Sequence, residues 1–216
     1  VTCPFEPSGL LRQQFLSDVS IARAMLLRRR SPAASPLPPP PVIIPACVKV
    51  VAMLVQCEEM RTENTLLAAD SGSCGGDGQG GECDRTCGLD VSRIDEYGVH
   101  TFMYADLDVL PFVPLSEPFD ALDLMSRDGS VALSNRVCLS AIQGGQVDGV
   151  VYWFTVDATG EGGDGVISTG PGGQTSGAWK QSACLFGQPR HVYEAEPITV
   201  DISCSEAVCR LHFELE

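Results

Sequence analysis

The sequence has no long uninterrupted apolar segment and few basic residues. No stretch approaches the roughly 20 consecutive apolar residues that a helix needs to span a membrane. The first residues also lack the basic start and short apolar run of a signal peptide. Only 14 Lys and Arg stand against 28 Asp and Glu, and the resulting net charge of -14 repels phosphate backbones and anionic lipids. We therefore expect a soluble, unsecreted protein without nucleic-acid or membrane partners, in the cytoplasm or alternatively the nucleus.

Motifs of local catalytic chemistry are also missing. There is no GxSxG, HExxH or phosphate-binding loop, and His100, His191 and His212 do not lie beside a nucleophile in any known motif. The chain has 216 residues, of which 44% are hydrophobic, enough for one compact core. It starts at Val1 rather than Met, which suggests that an upstream segment is missing. We expect a piece of a larger protein without a complete catalytic site.

The ten cysteines are spread along the chain rather than clustered as in a small secreted domain. Five of them lie in apolar, strand-like runs and are predicted to be free, buried thiols: Cys47, Cys57, Cys138, Cys184 and Cys204. A metal site at Cys74, Cys83 and Cys87 is a weaker alternative, because no histidine lies nearby. The run DATGEGGDG from Asp157 has Ser168 where a calcium loop needs an acid, so a β-hairpin is favoured there.

One long helix is predicted near the start. Apolar residues recur at three-and-four spacing over residues 10–29, with Ser8 as a candidate cap and an arginine run at 28–30 closing the last turn. The proline-rich run SPAASPLPPPP follows, and its prolines exclude helix and central strand. We expect an exposed loop there, with a PxxP ligand for another domain as the alternative.

After the prolines the apolar period changes to two, which is typical of strands. Eight strands are predicted, within residues 48–57, 99–110, 130–142, 147–156, 165–170, 179–186, 198–203 and 207–215. The strand through Tyr152, Trp153 and Phe154 is apolar on both faces and must be covered twice, as when a barrel packs its outer side against another domain. The predicted fold is mainly β: an antiparallel β-barrel or sandwich preceded by one α-helix.

Six segments, in order and spacing, resemble the C-terminal part of protein arginine N-methyltransferases, above all the divergent tandem-module members. They are VIIPACVKVVAMLVQCEEMR from Val42, CGLDVSRID from Cys87, VPLSEP from Val113, VDGVVYWFTVD from Val147, VISTGP from Val166 and AWKQSACLF from Ala178. The resemblance implies that residues 1–46 are the end of a truncated Rossmann-like methyltransferase domain with a Pro-rich insertion. Residues 47–216 would then be the β-barrel domain, with an inserted arm around 87–118.

The resemblance also implies which parts of the site are missing. The S-adenosylmethionine site would lie upstream, so the parent protein should bind this cofactor and this chain should bind none. In active members a loop carries two glutamates that hold the substrate guanidinium and localise its charge. By alignment Cys3 and Gln13 stand at those positions, and Glu6 is the one acid left as a catalytic candidate.

The barrel of the family supplies a Thr-His-Trp loop followed by Lys-Gln to the substrate site. The corresponding residues here are Gly177, Ala178, Trp179, Lys180 and Gln181. Trp179 and Gln181 are therefore the substrate-binding candidates, and the alternative for Trp179 is simple packing at the start of a strand.

The predicted arm contains more apolar residues than is typical of a short loop exposed to solvent. These are Leu89, Val91, Ile94, Leu110, Phe112, Val113 and Leu115. They indicate either a partner surface or a strand and loop folded onto the barrel. The partners that the resemblance implies are an N-terminal methyltransferase domain or second module, and protein substrates that contain arginine.

Two functional hypotheses follow. The chain is the substrate-binding and dimerisation barrel of an arginine methyltransferase, inactive on its own, or it is a non-enzymatic pseudoenzyme barrel that binds partners. Which protein is methylated, and whether one methyl group or two is transferred, depends on residues outside this chain.

Free thiols give the first test of these predictions. We expect all ten cysteines to react with a thiol reagent when the protein is denatured without reductant. A pairwise deficit would indicate disulfides and favour a secreted β domain instead.

Overall fold

A computed structural model describes residues 12, 14–26, 44–63, 85–86, 89–90, 102–126, 131–172, 179–205 and 209–216. Its helices are α1 (Phe15–Ile21), which continues as a π-helical turn over Ala22–Leu26, and α2 (Glu58–Glu63). The strands are β1 (Cys47–Gln56), β2 (Arg85–Thr86), β3 (Leu89–Asp90), β4 (Phe102–Ala105), β5 (Val113–Pro114), β6 (Phe119–Met125), β7 (Ser134–Ser140), β8 (Gly145–Asp157), β9 (Val166–Ser168), β10 (Gln181–Val192), β11 (Pro197–Ser205) and β12 (Arg210–Leu215).

Two antiparallel sheets enclose the main core. The larger has the order β4-β10-β8-β1-β5, with β6 also paired to β1 and β9 to β8, and the smaller has the order β12-β11-β7. At one edge the N–H of Ala132 donates to the carbonyl of Asp123, which brings the start of β7 to β6. At the other edge β10 lies beside β12. The mainly β, antiparallel fold class with a preceding helix is confirmed.

The central strand β8 is buried on both faces, as its sequence predicts. Every residue from Val147 to Phe154 is buried. Tyr152 and Phe154 face the main core with the apolar side chains of β11 and β12, whereas Val151 and Trp153 face a second, smaller cluster. That second face is covered within the chain, by Met60 of α2 and by the segment from Ala105 to Phe112.

A close backbone approach fixes β8 between its neighbours. Gly149 lies opposite Val55 of β1 and Leu185 of β10. A Cβ atom at Gly149 would stand 2.5 Å from the carbonyl oxygen of Cys184 and 3.1 Å from the Cα of Leu185, both backbone atoms. Glycine in a strand interior commonly marks such an approach.

The helix near the start begins later than its apolar pattern predicts. It begins at Phe15, not at residue 10, because Gln14 has φ 76° in the left-handed region and so cannot continue a right-handed helix. Phe15 and Leu16 are buried in the main core. Ser8, the arginine run at 28–30 and the proline-rich run lie outside the described residues. No described helix is long and apolar enough to cross a bilayer.

All eight predicted strands are present, with shifted ends. The strand predicted over 179–186 runs on to Val192 because the register shifts between Leu185 and Arg190, which accommodates Pro189 in a bulge. The strand predicted over 99–110 ends early, because the chain turns after Ala105, and its predicted start at 99–101 lies outside the described residues. The hairpin predicted at Asp157 is confirmed by the pairing of β8 with β9.

The sequence did not predict the strand β6, the helix α2 or the two-residue strands β2, β3 and β5. β6 reads FDALDLM, whose apolar residues do not alternate strictly, and its pairing with β1 contains two register shifts that explain the broken pattern. The helix α2 has six residues, which is too short for a helical period to be recognised.

The cysteine prediction is confirmed in part. Cys57, Cys184 and Cys204 are free and buried, whereas Cys47 is half-buried and Cys138 is exposed. The error at Cys138 arises because β7 presents alternate residues to solvent and only its other face is covered. Burial raises the pKa of Cys184 and of Cys204 to about 12, so neither is poised as a nucleophile.

The close approach at Gly149 can be tested against a roomier glycine. We expect Gly149→Ala to lower the free energy of unfolding by roughly 1–3 kcal/mol or more, because overpacking here must push two strands apart. Gly144→Ala is the matched control, since its Cβ would lie at an ordinary 3.5 Å from the nearest atom. Urea unfolding measures both, and equal midpoints for the two variants would contradict the packing argument.

Candidate functional site at the start of strand β10

Gln181 is the first residue of β10 and is 1% exposed. Its Oε1 accepts the backbone N–H of Leu107 at 3.1 Å. Its Nε2 donates to the backbone carbonyl of Thr169 at 2.6 Å. The side chain therefore joins three separated segments and satisfies backbone groups that would otherwise be buried without partners.

The segment at Thr169 is itself fixed to β8. The N–H of Thr169 donates to the carbonyl of Phe154 at 2.9 Å, and its hydroxyl accepts the N–H of Phe154 at 3.0 Å. The next residue, Gly170, packs against the indole of Trp153, where a Cβ would be only 2.6 Å from Nε1. Glycine at this position lets the backbone lie on the indole ring.

A half-buried ion pair lies beside Gln181. The Lys180 ammonium donates to Asp106 Oδ2, and the two side chains are 22% and 25% exposed. Asp106 Oδ1 is buried and has no hydrogen-bond partner among the described residues. Asp108 accepts the N–H of Gly172 at 3.2 Å, which ties the same turn to the loop after β9.

Trp179 comes two residues before Gln181 in the chain. Its side chain is half-buried and packs against the main core. Trp179 and Gln181 therefore both lie at the entry to β10, where Trp179 packs on the main core and Gln181 bonds the backbone of Leu107 and Thr169. Cys3, Glu6 and Gln13 lie outside the described residues, and their assigned roles stay predictions. The substrate-binding roles of Trp179 and Gln181 stay predictions as well.

The sequence did not indicate Asp106, Asp108 or Thr169 as neighbours of Gln181. The available signal was the pair of acids in ADLD, polar residues directly after an apolar strand, which are typical of a turn that needs partners.

A second buried polar centre anchors α2. Asp148 is 2% exposed and accepts the Cys57 N–H at 2.8 Å and Arg61 Nη1 at 3.0 Å. Gln146 Nε2 donates to it at 3.0 Å. These donors satisfy the charge of a carboxylate that burial alone would penalise.

The described ranges hold no group of three or more His, Cys, Asp or Glu side chains arranged for a metal ion. The candidate cluster Cys74, Cys83 and Cys87 lies outside them. At the loop that resembles a calcium site, Asp157 accepts the N–H groups of Thr159, Gly160 and Gly162. Those bonds, that of Gly160 first, lower the pKa of Asp157. Its oxygens are engaged with donors, as in a turn.

Residues 102–118, which the resemblance assigns to the inserted arm, contribute the strands β4 and β5 to the larger sheet. β4 pairs with β10 and β5 pairs with β1. Leu115 is fully buried, Leu110 and Phe112 pack half-buried on the second cluster, and Val113 is 42% exposed. Residues 91–101 lie outside the described residues, so the extent of the arm stays a prediction.

Comparison with known proteins decides the family. A family model described as the arginine methyltransferase oligomerization subdomain matches residues 82–214. The chain belongs to the arginine methyltransferase family. The match covers more than half of the chain, from β2 into β12, and it includes Gln181 and its bonding partners.

Curated relatives extend the similarity towards the N-terminus. Protein arginine N-methyltransferase 9 of Mus musculus is 28% identical over 203 residues, which is 91% of this chain and 20% of that relative. The Homo sapiens protein of the same name is 26% identical over 199 residues, with the same coverages of 91% and 20%. The chain thus spans about a fifth of the length of these relatives.

A solved structure shares the fold. The Trypanosoma brucei PRMT1 enzyme-prozyme heterotetrameric complex with AdoHcy contains a chain that superposes with a TM-score of 0.52 at 15% identity. The match covers 80% of this chain and 52% of that one. It supports the arrangement of strands found here.

The two hydrogen bonds of the Gln181 side chain can be tested by substitution. We expect Gln181→Leu to lower the free energy of unfolding by roughly 2–5 kcal/mol, because two buried backbone groups lose their partner. Gln143→Leu is the control: its exposed side chain donates one bond, to Pro114 O at 2.6 Å, and should cost about 1 kcal/mol or less. If Gln181→Leu lowers the free energy of unfolding only slightly, in thermal or urea unfolding, the two hydrogen bonds of Gln181 are dispensable for stability.

Proposed function

We propose that this chain is the substrate-binding and dimerisation barrel of an arginine methyltransferase-like protein. The protein as a whole would transfer a methyl group from S-adenosylmethionine to an arginine guanidinium, and this chain alone would be inactive. The match of residues 82–214 to the family's oligomerization subdomain carries the proposal. The curated relatives are arginine methyltransferases by name, and most of their length has no counterpart in this chain.

The geometry favours a role in which this chain shapes the substrate site and does not supply catalytic groups of its own. Both polar atoms of Gln181 bond backbone groups, so this side chain orients the entry to β10, and a neutral amide is not a general acid or base. Trp179, held beside it, offers an indole that could wall a substrate side chain, since a guanidinium stacks well on an aromatic face. The buried thiols of Cys184 and Cys204, whose pKa values burial raises to about 12, are not nucleophiles at neutral pH.

The helix α1 supports an N-terminal module as a partner. It buries Phe15 and Leu16 in the main core, whereas Ile21 is 54% exposed and Met25, one turn further on, is 78% exposed. Apolar side chains on a second face of one short helix are typical of an element packed between two bodies. We infer that this second face contacts the methyltransferase domain of the parent protein.

The alternative is a pseudoenzyme barrel that binds partners without methyl transfer. It is favoured by the residues that align with the two glutamates of active members, Cys3 and Gln13, because neither carries the negative charge that would polarise a guanidinium.

Trp179 provides the test of the substrate wall. In the full-length parent, we expect Trp179→Ala to lower kcat/KM for an arginine-containing peptide by about tenfold or more, and Trp179→Phe to retain most of it, because the aromatic face is kept. Labelled methyl transfer from S-adenosylmethionine measures both, and calorimetry should detect no cofactor binding to the 216-residue chain.

A parent protein that binds partners but transfers no methyl group to any arginine peptide would support the pseudoenzyme. Saturable micromolar cofactor binding by this chain would contradict the assignment of the cofactor site to the missing domain.

A further inference from the structure

An open groove of about 660 Å³ lies between α2 and the segment before and within β5. We call it the α2 groove; it is lined by Gln56, Glu58, Glu59, Thr62, Pro111, Phe112 and Val113. Its size lies within the range of about 300–1,000 Å³ that is typical of ligand-binding clefts. The groove is distant in the chain from the Trp179 and Gln181 site.

Both walls of the groove are anchored. On one side, buried Asp148 binds the Cys57 N–H and the Arg61 guanidinium, which fixes the start and the middle of α2. On the other side, Val113 pairs with Gln56 in the sheet, and the Cys57 thiol donates to the Pro111 carbonyl at 3.3 Å. A groove held in this way loses little conformational freedom when a ligand binds.

The floor of the groove is apolar. The Phe112 side chain is half-buried and packs against the second core cluster, and Val113 is 42% exposed. Pro111, also exposed, adds a third apolar surface. An aromatic ring fixed from below can receive an apolar side chain or the planar guanidinium of an arginine.

The rim of the groove is acidic. Glu58 and Glu59 are exposed, and no lining residue is basic. Arg61 of α2 directs Nη1 to buried Asp148 and has Nη2 at 4.0 Å from Glu58 Oε1. Glu59 forms no ion pair with a described residue. Two carboxylates above an apolar floor favour a cationic ligand with an apolar part.

We propose that the α2 groove docks a basic peptide segment, in which arginine or lysine side chains contact Glu58 and Glu59 and an apolar neighbour packs on Phe112 and Val113. The proposal rests on the proposed function in one respect. A protein substrate rich in arginine would bind the α2 groove through a segment of the substrate that is remote from its methylated arginine. Charge complementarity favours a basic peptide, because the acidic rim repels nucleic acids and anionic lipids.

Fluorescence anisotropy with a labelled peptide tests the docking site on the 216-residue chain itself. The probe is a twelve-residue peptide with four arginines and two leucines, compared with the same peptide carrying glutamine in place of each arginine. We expect saturable binding of the arginine peptide that weakens with added salt, and at least about tenfold weaker binding of the glutamine peptide.

Charge-matched variants separate the groove from the general negative charge. Glu58→Gln with Glu59→Gln and the control Glu161→Gln with Glu214→Gln each reduce the magnitude of the net charge of -14 by two. Glu161 lies in the β8–β9 loop and Glu214 on the smaller sheet, both exposed. We expect about tenfold weaker binding for the groove pair and less than about twofold for the control pair. Phe112→Leu keeps an apolar floor and should weaken binding about threefold by removing the ring face.

Equal losses for the two charge pairs would overturn the proposal, because they would mean that net charge alone attracts the peptide. Equal binding of the arginine and glutamine peptides would also overturn it. Neither outcome depends on methyl transfer by the parent protein, so a failed docking site and a failed enzyme are distinguished.

Discussion

The constraint on which the rest of the structure depends is that the centre of the larger sheet is buried on both faces: residues 147–154 of β8, 52–55 of β1 and 181–186 of β10. Backbone hydrogen bonds hold these strands side by side, and Gly149 allows the backbones of β8 and β10 to approach where any Cβ would collide with Cys184 O. A sheet buried on both sides needs two covers, because exposed apolar faces would favour association. The smaller sheet supplies one cover, and α2 with the segment 105–112 supplies the other.

The second cover is held by polar contacts as well as by apolar packing. Gln181 bonds the backbone of Leu107, and Asp148 bonds the backbone of Cys57, so each end of the cover is fixed to the strand beneath it. Buried polar bonds of this kind contribute little net free energy, but they select one arrangement because the alternatives leave them unmade. The apolar cluster supplies the attraction, and these two side chains determine the position of the cover.

The fold class could be predicted from the sequence because most strands have an apolar period of two, and in the last strand Leu211 and Phe213 are buried while Arg210 and Glu214 are exposed. β6 could not be predicted in this way, since register shifts against β1 break its period. The double cover of β8 was evident from Tyr152, Trp153 and Phe154, but its source was not. Contacts such as that of Gln181 with Leu107 join residues 74 positions apart, and no local pattern encodes them.

The segment 105–112 contributes to two properties that are usually assigned to separate regions. Leu107 and Phe112 pack on the second cluster, and Phe112 also forms the floor of the α2 groove. A truncation of Phe112 to alanine would therefore remove core contacts and groove surface together, and its effect on binding would be confounded with its effect on stability. Glu58 and Glu59 differ in this respect, because both are exposed and neither packs in either cluster. Charge at the rim can change while the floor stays fixed, which makes recognition at this groove separable from the packing that holds the sheet.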